Sequence, residues 1–256
     1  MGLFFKSKQK EFQSEQLKDG TVKLTKYTGS AAKLEIPSKV DGRKVTQIGA
    51  LAFRNNTCLT EIIIPSGVTK IDTRAFMDCS AVTVIKLPET LKEIGWMAFE
   101  GCGSLRELMI PAGVSTISHA IVPGCRSLTR IIVEPGNRQY CSEDGVLFSL
   151  DKSILICCPE GKKGVYQIAG TVKTVANDAF ARCVNLEEIQ VPLGVEKIEM
   201  WAFAYCKSLK KISIPLSVRV IEDHVFLEDE KLTIYCSSGS YMEFYARERG
   251  LRFVLD

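Results

Sequence analysis

No run of 18 or more apolar residues occurs in this chain of 256 residues, so no segment reads as a membrane-spanning helix. Charge of one sign is also missing: 33 Lys and Arg stand against 30 Asp and Glu, a formal net charge of +3. With a pI near 8.3, the chain lacks the strongly basic balance of a dedicated nucleic-acid binder. Residues 1–16 hold only Leu3-Phe4-Phe5 as an apolar run, too little for an export signal. That leaves a cytoplasmic protein or one whose leader has been removed. Gly2 is not followed by Ser or Thr at the position that N-myristoylation needs, and Lys6, Lys8 and Lys10 read as a solvated, frayed terminus.

Chemistry is equally thin. Only two histidines are present, His119 and His224, and no two cysteines share a Cys-x-x-Cys spacing, so neither a metal site nor a cofactor is expected. No Gly-x-Ser-x-Gly elbow, phosphate-cradling glycine loop or dinucleotide fingerprint occurs. The carboxylates are scattered, so no pair can be nominated for acid–base work, and the chain is expected not to be an enzyme. A composition of 46% apolar and 25% charged residues is that of an ordinary globular protein. Cysteine is the unusual count, with ten.

The positive signal is an internal repeat. Pro65, Pro88 and Pro111 are 23 residues apart, as are Pro192 and Pro215. A second marker keeps the same phase: Ala52-Phe53, Ala75-Phe76, Ala98-Phe99, Ala179-Phe180, Ala202-Phe203 and Val225-Phe226. Cys79, Cys102, Cys125, Cys183 and Cys206 follow in the same register. The unit runs Leu59-x-x-Ile62-x-Ile64-Pro65-x-x-Val68-x-x-Ile71-x-x-x-Ala75-Phe76-x-x-Cys79. From Val122, which stands where an aromatic is due, to Phe180 is 58 residues, two periods and 12 more. The surplus lies in residues 134–165, where Val146-Leu147-Phe148 and Ile154-Leu155-Ile156 predict a hairpin projecting from the stack.

A unit this short cannot bury a core alone, but stacked units share one. Alternation in Leu-x-x-Ile-x-Ile predicts a short strand, and the proline ends it because it has no N–H for the ladder. The reading is a right-handed repeat solenoid, mainly β, with a parallel sheet along one face and Val68, Ile71 and the Ala-Phe pair turned inward.

These units resemble the BspA-like (Treponema-type) leucine-rich repeat family, whose repeats run Leu-x-x-Ile-x-Ile-Pro, Val-x-x-Ile and Ala-Phe-x-x-Cys. The resemblance covers about Asp19 to the C-terminus. It includes an opening hairpin over Gly20 to Gly29, the inserted Asp144-Gly145-Val146-Leu147-Phe148, and an ending from Gly239-Ser240-Tyr241 to Tyr245-Ala246. The family implies an N-terminal hairpin cap and a C-terminal capping helix. It also implies a bacterial surface or secreted protein linked to adhesion. The expected organisation is a flexible terminus over 1–16 and a single solenoid over 17–256. Within the solenoid the cap takes 17–33, the repeats 34–231 with the insertion near 134–165, and the final cap 232–256.

The five ladder cysteines read as buried, reduced thiols packing as small apolar groups. Vicinal Cys157-Cys158 is the candidate for an exposed reactive thiol, and the only route to a redox function. Trp96 and Trp201 are expected to pack over the edge of the adjacent coil. For binding, the residue between the two inward isoleucines should face out from the sheet: Glu35, Ile63, Lys86, Met109, Ile132, Gln167, Gln190 and Ser213. Ile63, Met109 and Ile132 would give it an apolar centre, with Glu61, Val84, Glu107, Arg130, Glu188 and Lys211 as a mainly charged rim, the layout of a protein interface. Strand propensity alone also accounts for Ile and Met there. The functional expectation is a monomer that binds a protein or extended ligand on this face, with no nucleic-acid or membrane partner. The alternative is a scaffold segment with no binding of its own.

Overall fold

A computed structural model of the chain describes residues 11–256. Gly2 and the lysines at 6, 8 and 10 lie outside the described residues. The chain divides into two compact units, residues 1–139 and 140–256, and the division falls inside the expected insertion.

In the first unit β1 (Phe12–Gln16), β2 (Val22–Tyr27), β3 (Lys33–Glu35), β4 (Lys39–Val40) and β5 (Arg43–Ile48) precede a regular alternation. That alternation is β6 (Glu61–Ile63), β7 (Lys70–Ile71), β8 (Val84–Lys86), β9 (Glu93–Ile94), β10 (Glu107–Ile110), β11 (Thr116–Ile117) and β12 (Arg130–Val133). Each coil thus contributes one strand to each of two walls. One wall joins β1-β2-β5-β7-β9-β11; the other comprises β3-β6-β8 and the pair β10-β12, all parallel.

Phe12–Gln16 was expected to be part of a flexible terminus, and this is corrected. It pairs antiparallel with β2, Phe12 opposite Tyr27, and the two rings lie 5.0 Å apart. The polar run after Phe12 hid the strand because four of its five residues face water. The opening hairpin therefore starts earlier than Gly20, and its second strand already runs parallel to β5.

The second unit begins with β13 (Tyr140–Glu143), β14 (Val146–Ser149) and β15 (Ile154–Cys157), followed by β16 (Gly164–Gln167), β17 (Thr174–Val175), β18 (Leu186–Gln190) and β19 (Lys197–Ile198). It ends with β20 (Lys211–Ile214), β21 (Val220–Ile221), β22 (Thr233–Cys236), the helix α1 (Tyr241–Glu248) and β23 (Phe253–Leu255). Its two sheets are β13-β14-β15-β17-β19-β21 and β16-β18-β20-β22-β23. The hairpin expected to project does not do so. β15 continues parallel to β17, with Leu155 opposite Val175, and Val146, Leu147 and Phe148 are at most 1% exposed. Three successive apolar residues leave that strand no polar face to offer water, so it is buried on both sides.

Apart from the proline, every consensus position of the unit at 59–79 is inside. Leu59, Ile62, Ile64, Val68, Ile71, Ala75, Phe76 and Cys79 are all buried. The proline does more than end the strand: it opens a turn closed by the N–H three residues on, Val68 to Pro65 O at 3.3 Å and Val218 to Pro215 O at 3.2 Å. Phenylalanines stack coil on coil, Phe53 to Phe76 at 5.0 Å and Phe76 to Phe99 at 5.7 Å. In the second unit Phe180 meets Phe203 at 5.2 Å, Phe203 meets Phe226 at 5.7 Å, and Tyr245 of the helix closes the series. Val122 fills its gap in the series as a buried aliphatic.

The third wall of each coil is a turn around the Ala-Phe pair, and its geometry was not foreseen. The residue before Ala and the second residue after Phe adopt left-handed backbone: Arg74 and Asp78, Met97 and Gly101, Asp178 and Arg182, Trp201 and Tyr205, His224 and Glu228. This conformation costs an L-residue about 1–2 kcal/mol. It is held because the wall hydrogen-bonds from coil to coil, as in Phe53 N–H to Ala75 O (2.8 Å), Phe76 N–H to Ala98 O (2.9 Å) and Phe180 N–H to Ala202 O (2.7 Å).

Helix α1 caps the second unit. Ser240 accepts from the Glu243 N–H at 3.1 Å, the Glu243 carboxylate accepts from Gly239 N–H at 2.7 Å, and Met242, Tyr245 and Ala246 are buried. The first contact satisfies an N–H that the first turn leaves unpaired, and the second ties the chain entering the helix back to it.

Candidate functional site

The outward column of the long-strand sheets sits where the alternation puts it, in separate groups. In the first unit Glu35 stands opposite Ile63 and Ile63 opposite Lys86, while Met109 and Ile132 form a second laddered pair. In the second unit Gln167, Gln190 and Ser213 run in one register, continued by Tyr235 and Val254.

The expected apolar centre is weaker than its sequence. Ile63 and Ile132 are half-buried, and only Met109, 45% exposed, stands free. Ile63 is flanked on its sheet by Glu35 and Lys86, and Ile132 by Met109, the lateral neighbours against which side chains on one sheet face pack. The charged rim is real. Glu61 lies between Lys33 (3.3 Å) and Lys86 (3.5 Å), and these cations, Lys33 first, hold its carboxyl below the usual range. Arg130 meets Glu107 at 3.4 Å and Lys211 meets Glu188 at 3.1 Å. Glu188 is likewise held low, first by a hydrogen bond from the Gln190 amide and then by Lys211.

The more open surface is in the second unit. A groove of about 270 Å³ is lined by Gln167, Gln190, Val191, Pro192 and Ser213. A second, of about 240 Å³, takes in Leu193, Ser213, Leu216, Tyr235 and Asp256. Leu193 is 78% and Leu216 56% exposed. Sequence reasoning missed both leucines, yet each follows the strand-ending proline directly. The same position holds Ser66, Glu89 and Ala112 in the first unit, so the change of residue type was there to be read.

The ladder cysteines are fully buried, and four of the five thiols point at the carbonyl of a phenylalanine in the preceding coil, while Cys183 points at Cys158 O (3.7 Å) and Pro159 O (3.8 Å). Cys79 donates to Phe53 O (3.1 Å), Cys102 to Phe76 O (3.4 Å), Cys125 to Phe99 O (3.1 Å) and Cys206 to Phe180 O (3.1 Å). Burial pushes the Cys79 thiol up to about 12. The ladder position in the last coil is Asp229, whose two carboxyl oxygens are buried without a hydrogen-bond partner, and burial raises it to about 7.

The vicinal pair is a correction. Cys157 and Cys158 are both buried, and burial drives the Cys157 thiol far above its ordinary value, the reverse of what a reactive thiolate needs. Each histidine lies beside a tryptophan of the preceding coil: Trp96 is 6.2 Å from His119 and Trp201 6.5 Å from His224, ring centre to ring centre. Among the described residues, no group of three or more His, Cys, Asp or Glu is arranged to hold a metal ion, and no helix is long and apolar enough to cross a membrane.

Parallel strands stacked at a fixed period, with inward aliphatic columns and capped ends, define a leucine-rich repeat solenoid. The chain belongs to the BspA type leucine-rich repeat family, whose model matches six copies over residues 26–144 and 165–245. Among solved structures it is similar to a leucine-rich repeat protein from Eubacterium ventriosum, with 25% identity, TM-score 0.68, and 90% of this chain and 71% of that one covered. It also resembles the pneumococcal vaccine antigen PcpA, with 18% identity, TM-score 0.54 and 96% of each chain covered. The Treponema pallidum leucine-rich repeat protein gives 22% identity, TM-score 0.54 and 96% of each chain. No curated protein matches the sequence. Repeats of this kind are typical of protein-interaction modules, and the solenoid fold is typically non-enzymatic.

Proposed function

We propose that the protein is a non-enzymatic interaction module that binds a protein or an extended peptide-like ligand on its long-strand sheet face, and that it works at the bacterial cell surface in an adhesion-related role. Supporting the binding reading is one observation above the others. Leu193 and Leu216, 78% and 56% exposed, flank grooves floored by Gln167, Gln190, Ser213 and Tyr235. Apolar side chains beside amide and hydroxyl groups that can pair with a backbone are what an extended ligand requires. Lys86, Met109, Ile63 and Ile132 form the corresponding face of the first unit. The surface reading rests on the family and on the likeness to an antigen, so it is the analogy in this proposal.

A photoreactive amino acid at Leu216, expressed in the native cell, should give a discrete covalent adduct. The same group at exposed Lys207, off the sheet face, should give none. Equal labelling from the two positions, or none from Leu216, would sink the sheet-face assignment. Protease shaving of intact cells tests the location: loss of the protein supports surface display, and full protection overturns it.

A further inference from the structure

We infer that two copies of this chain associate through their C-terminal strands, β23 pairing antiparallel with the β23 of a second copy across a two-fold axis at Val254.

β23 is the last strand of its sheet among the described residues, bonded only to β22. The bonds it makes show which of its groups remain. Arg252 O accepts from Ile234 N–H at 3.0 Å, and Asp256 N–H donates to Cys236 O at 3.2 Å, so the backbone groups of 252, 254 and 256 point inward. Strand alternation then turns the N–H and C=O of Phe253 and Leu255 outward. An antiparallel partner can exchange both bonds at a position only if its own groups point outward there. Of the two-fold registers of β23 on itself, the one centred on Val254 lets both outward residues of each strand exchange bonds; it sets Phe253 opposite the partner's Leu255, and Val254 opposite the partner's Val254.

The same register is complementary in charge. It places Arg252 opposite the partner's Asp256 and repeats the pair across the axis. Both residues are exposed, and neither enters an ion pair elsewhere among the described residues. Opposed charges across an antiparallel pair stabilise it, and like charges oppose it. Shifting the strands by one residue would misalign both the backbone groups and the charges.

Exposure points the same way. Val254 and Leu255 are 44% and 41% exposed, and on the adjoining cap helix Phe244 is 58% and Tyr241 44% exposed. A terminal cap that stays single presents a polar outer face, whereas this one presents aromatic and aliphatic groups beside an open strand edge, which is a template for pairing. A second copy is the occupant whose register, charge and apolar surface all match.

Sedimentation equilibrium of the full chain tests this. The wild type should show a concentration-dependent dimer. Val254→Lys, which sets two ammonium groups face to face, should weaken it by about tenfold or more. Leu255→Pro removes only an outward N–H, so it should do the same with an unchanged circular dichroism spectrum. Asp256→Arg should also weaken association, and adding Arg252→Asp should restore it. In a Cys58→Ser background, Val254→Cys should cross-link on oxidation, because residues facing each other at a non-hydrogen-bonded position lie about 4.5 Å apart. A wild type that stays monomeric into the millimolar range overturns the proposal. So does a dimer that survives Val254→Lys, or a charge swap that fails to restore association.

Discussion

The two units use the same coil and spend its free positions differently. In the first, the sheet face carries paired charges, with Glu61 between two lysines and Arg130 on Glu107, and the cysteine ladder runs Cys79, Cys102, Cys125 without a break. In the second, the face carries amides, a hydroxyl and exposed leucines, and the ladder passes from Cys206 to Asp229. Inward columns are fixed by stacking, so the units agree there. The outward column and the ladder's end are free to differ, and those are the places where binding and pH response can reside.

Aromatic truncation tests the shared part with the largest effect. Phe76→Ala and Phe203→Ala each remove a fully buried ring and should cost ~3–5 kcal/mol by urea denaturation. A cost below about 1 kcal/mol in either unit would mean that the aromatic columns are not equivalent.

Asp229 tests the difference. Its folded value is raised to about 7, above the ~3.9 of an unfolded aspartate. The folded state therefore binds the proton more tightly, and stability should fall as pH rises from about 4 towards 7 and level off above. Asp229→Asn should abolish that slope, and Asp229→Cys, which restores the ladder donor toward the preceding coil, should stabilise the protein at pH 8. A slope that persists in Asp229→Asn would assign it to another group.

The left-handed turn gives a smaller effect. Gly101 has φ +72° and a Cβ there would press on Asp78, so Gly101→Ala should cost about 1–3 kcal/mol. Glu228→Gly, in the last coil, should cost nothing or stabilise slightly, because strain relief offsets the added freedom of the unfolded chain. The smallest effect belongs to the face itself. Met109→Ser and Leu193→Ser should each leave the midpoint unchanged within about 0.5 kcal/mol, and a larger loss at either would make it a packing position.

The parts of this molecule that repeat were legible in its sequence, since stacking forces one residue type into one column. The 23-residue spacing of Pro65, Pro88 and Pro111 defines the coil, and the alternation around Ile62 and Ile64 defines which side is buried. Left-handed positions escaped notice because Arg74, Trp201 and His224 share no chemistry; only Gly101 and Gly124 hint at the backbone they adopt. β1 escaped because its exposed polar residues resemble a tail, and the insertion was misjudged because a hairpin pattern does not say whether its apolar faces meet water or a neighbour. The alternation fixes which residues form the outward column, but not how far each is exposed, and Ile63 is more covered than Leu216.

Along the Ala-Phe wall every coil donates its N–H to the following coil and accepts from the one before. The peptide units of that wall therefore lie head to tail, and their dipoles add as in a helix. Within each unit this gives the wall a polarity, its carbonyls directed toward the first coil and its amide hydrogens toward the last. The two ends of a coil stack are thus electrically distinct, even where the side chains that line them are neutral.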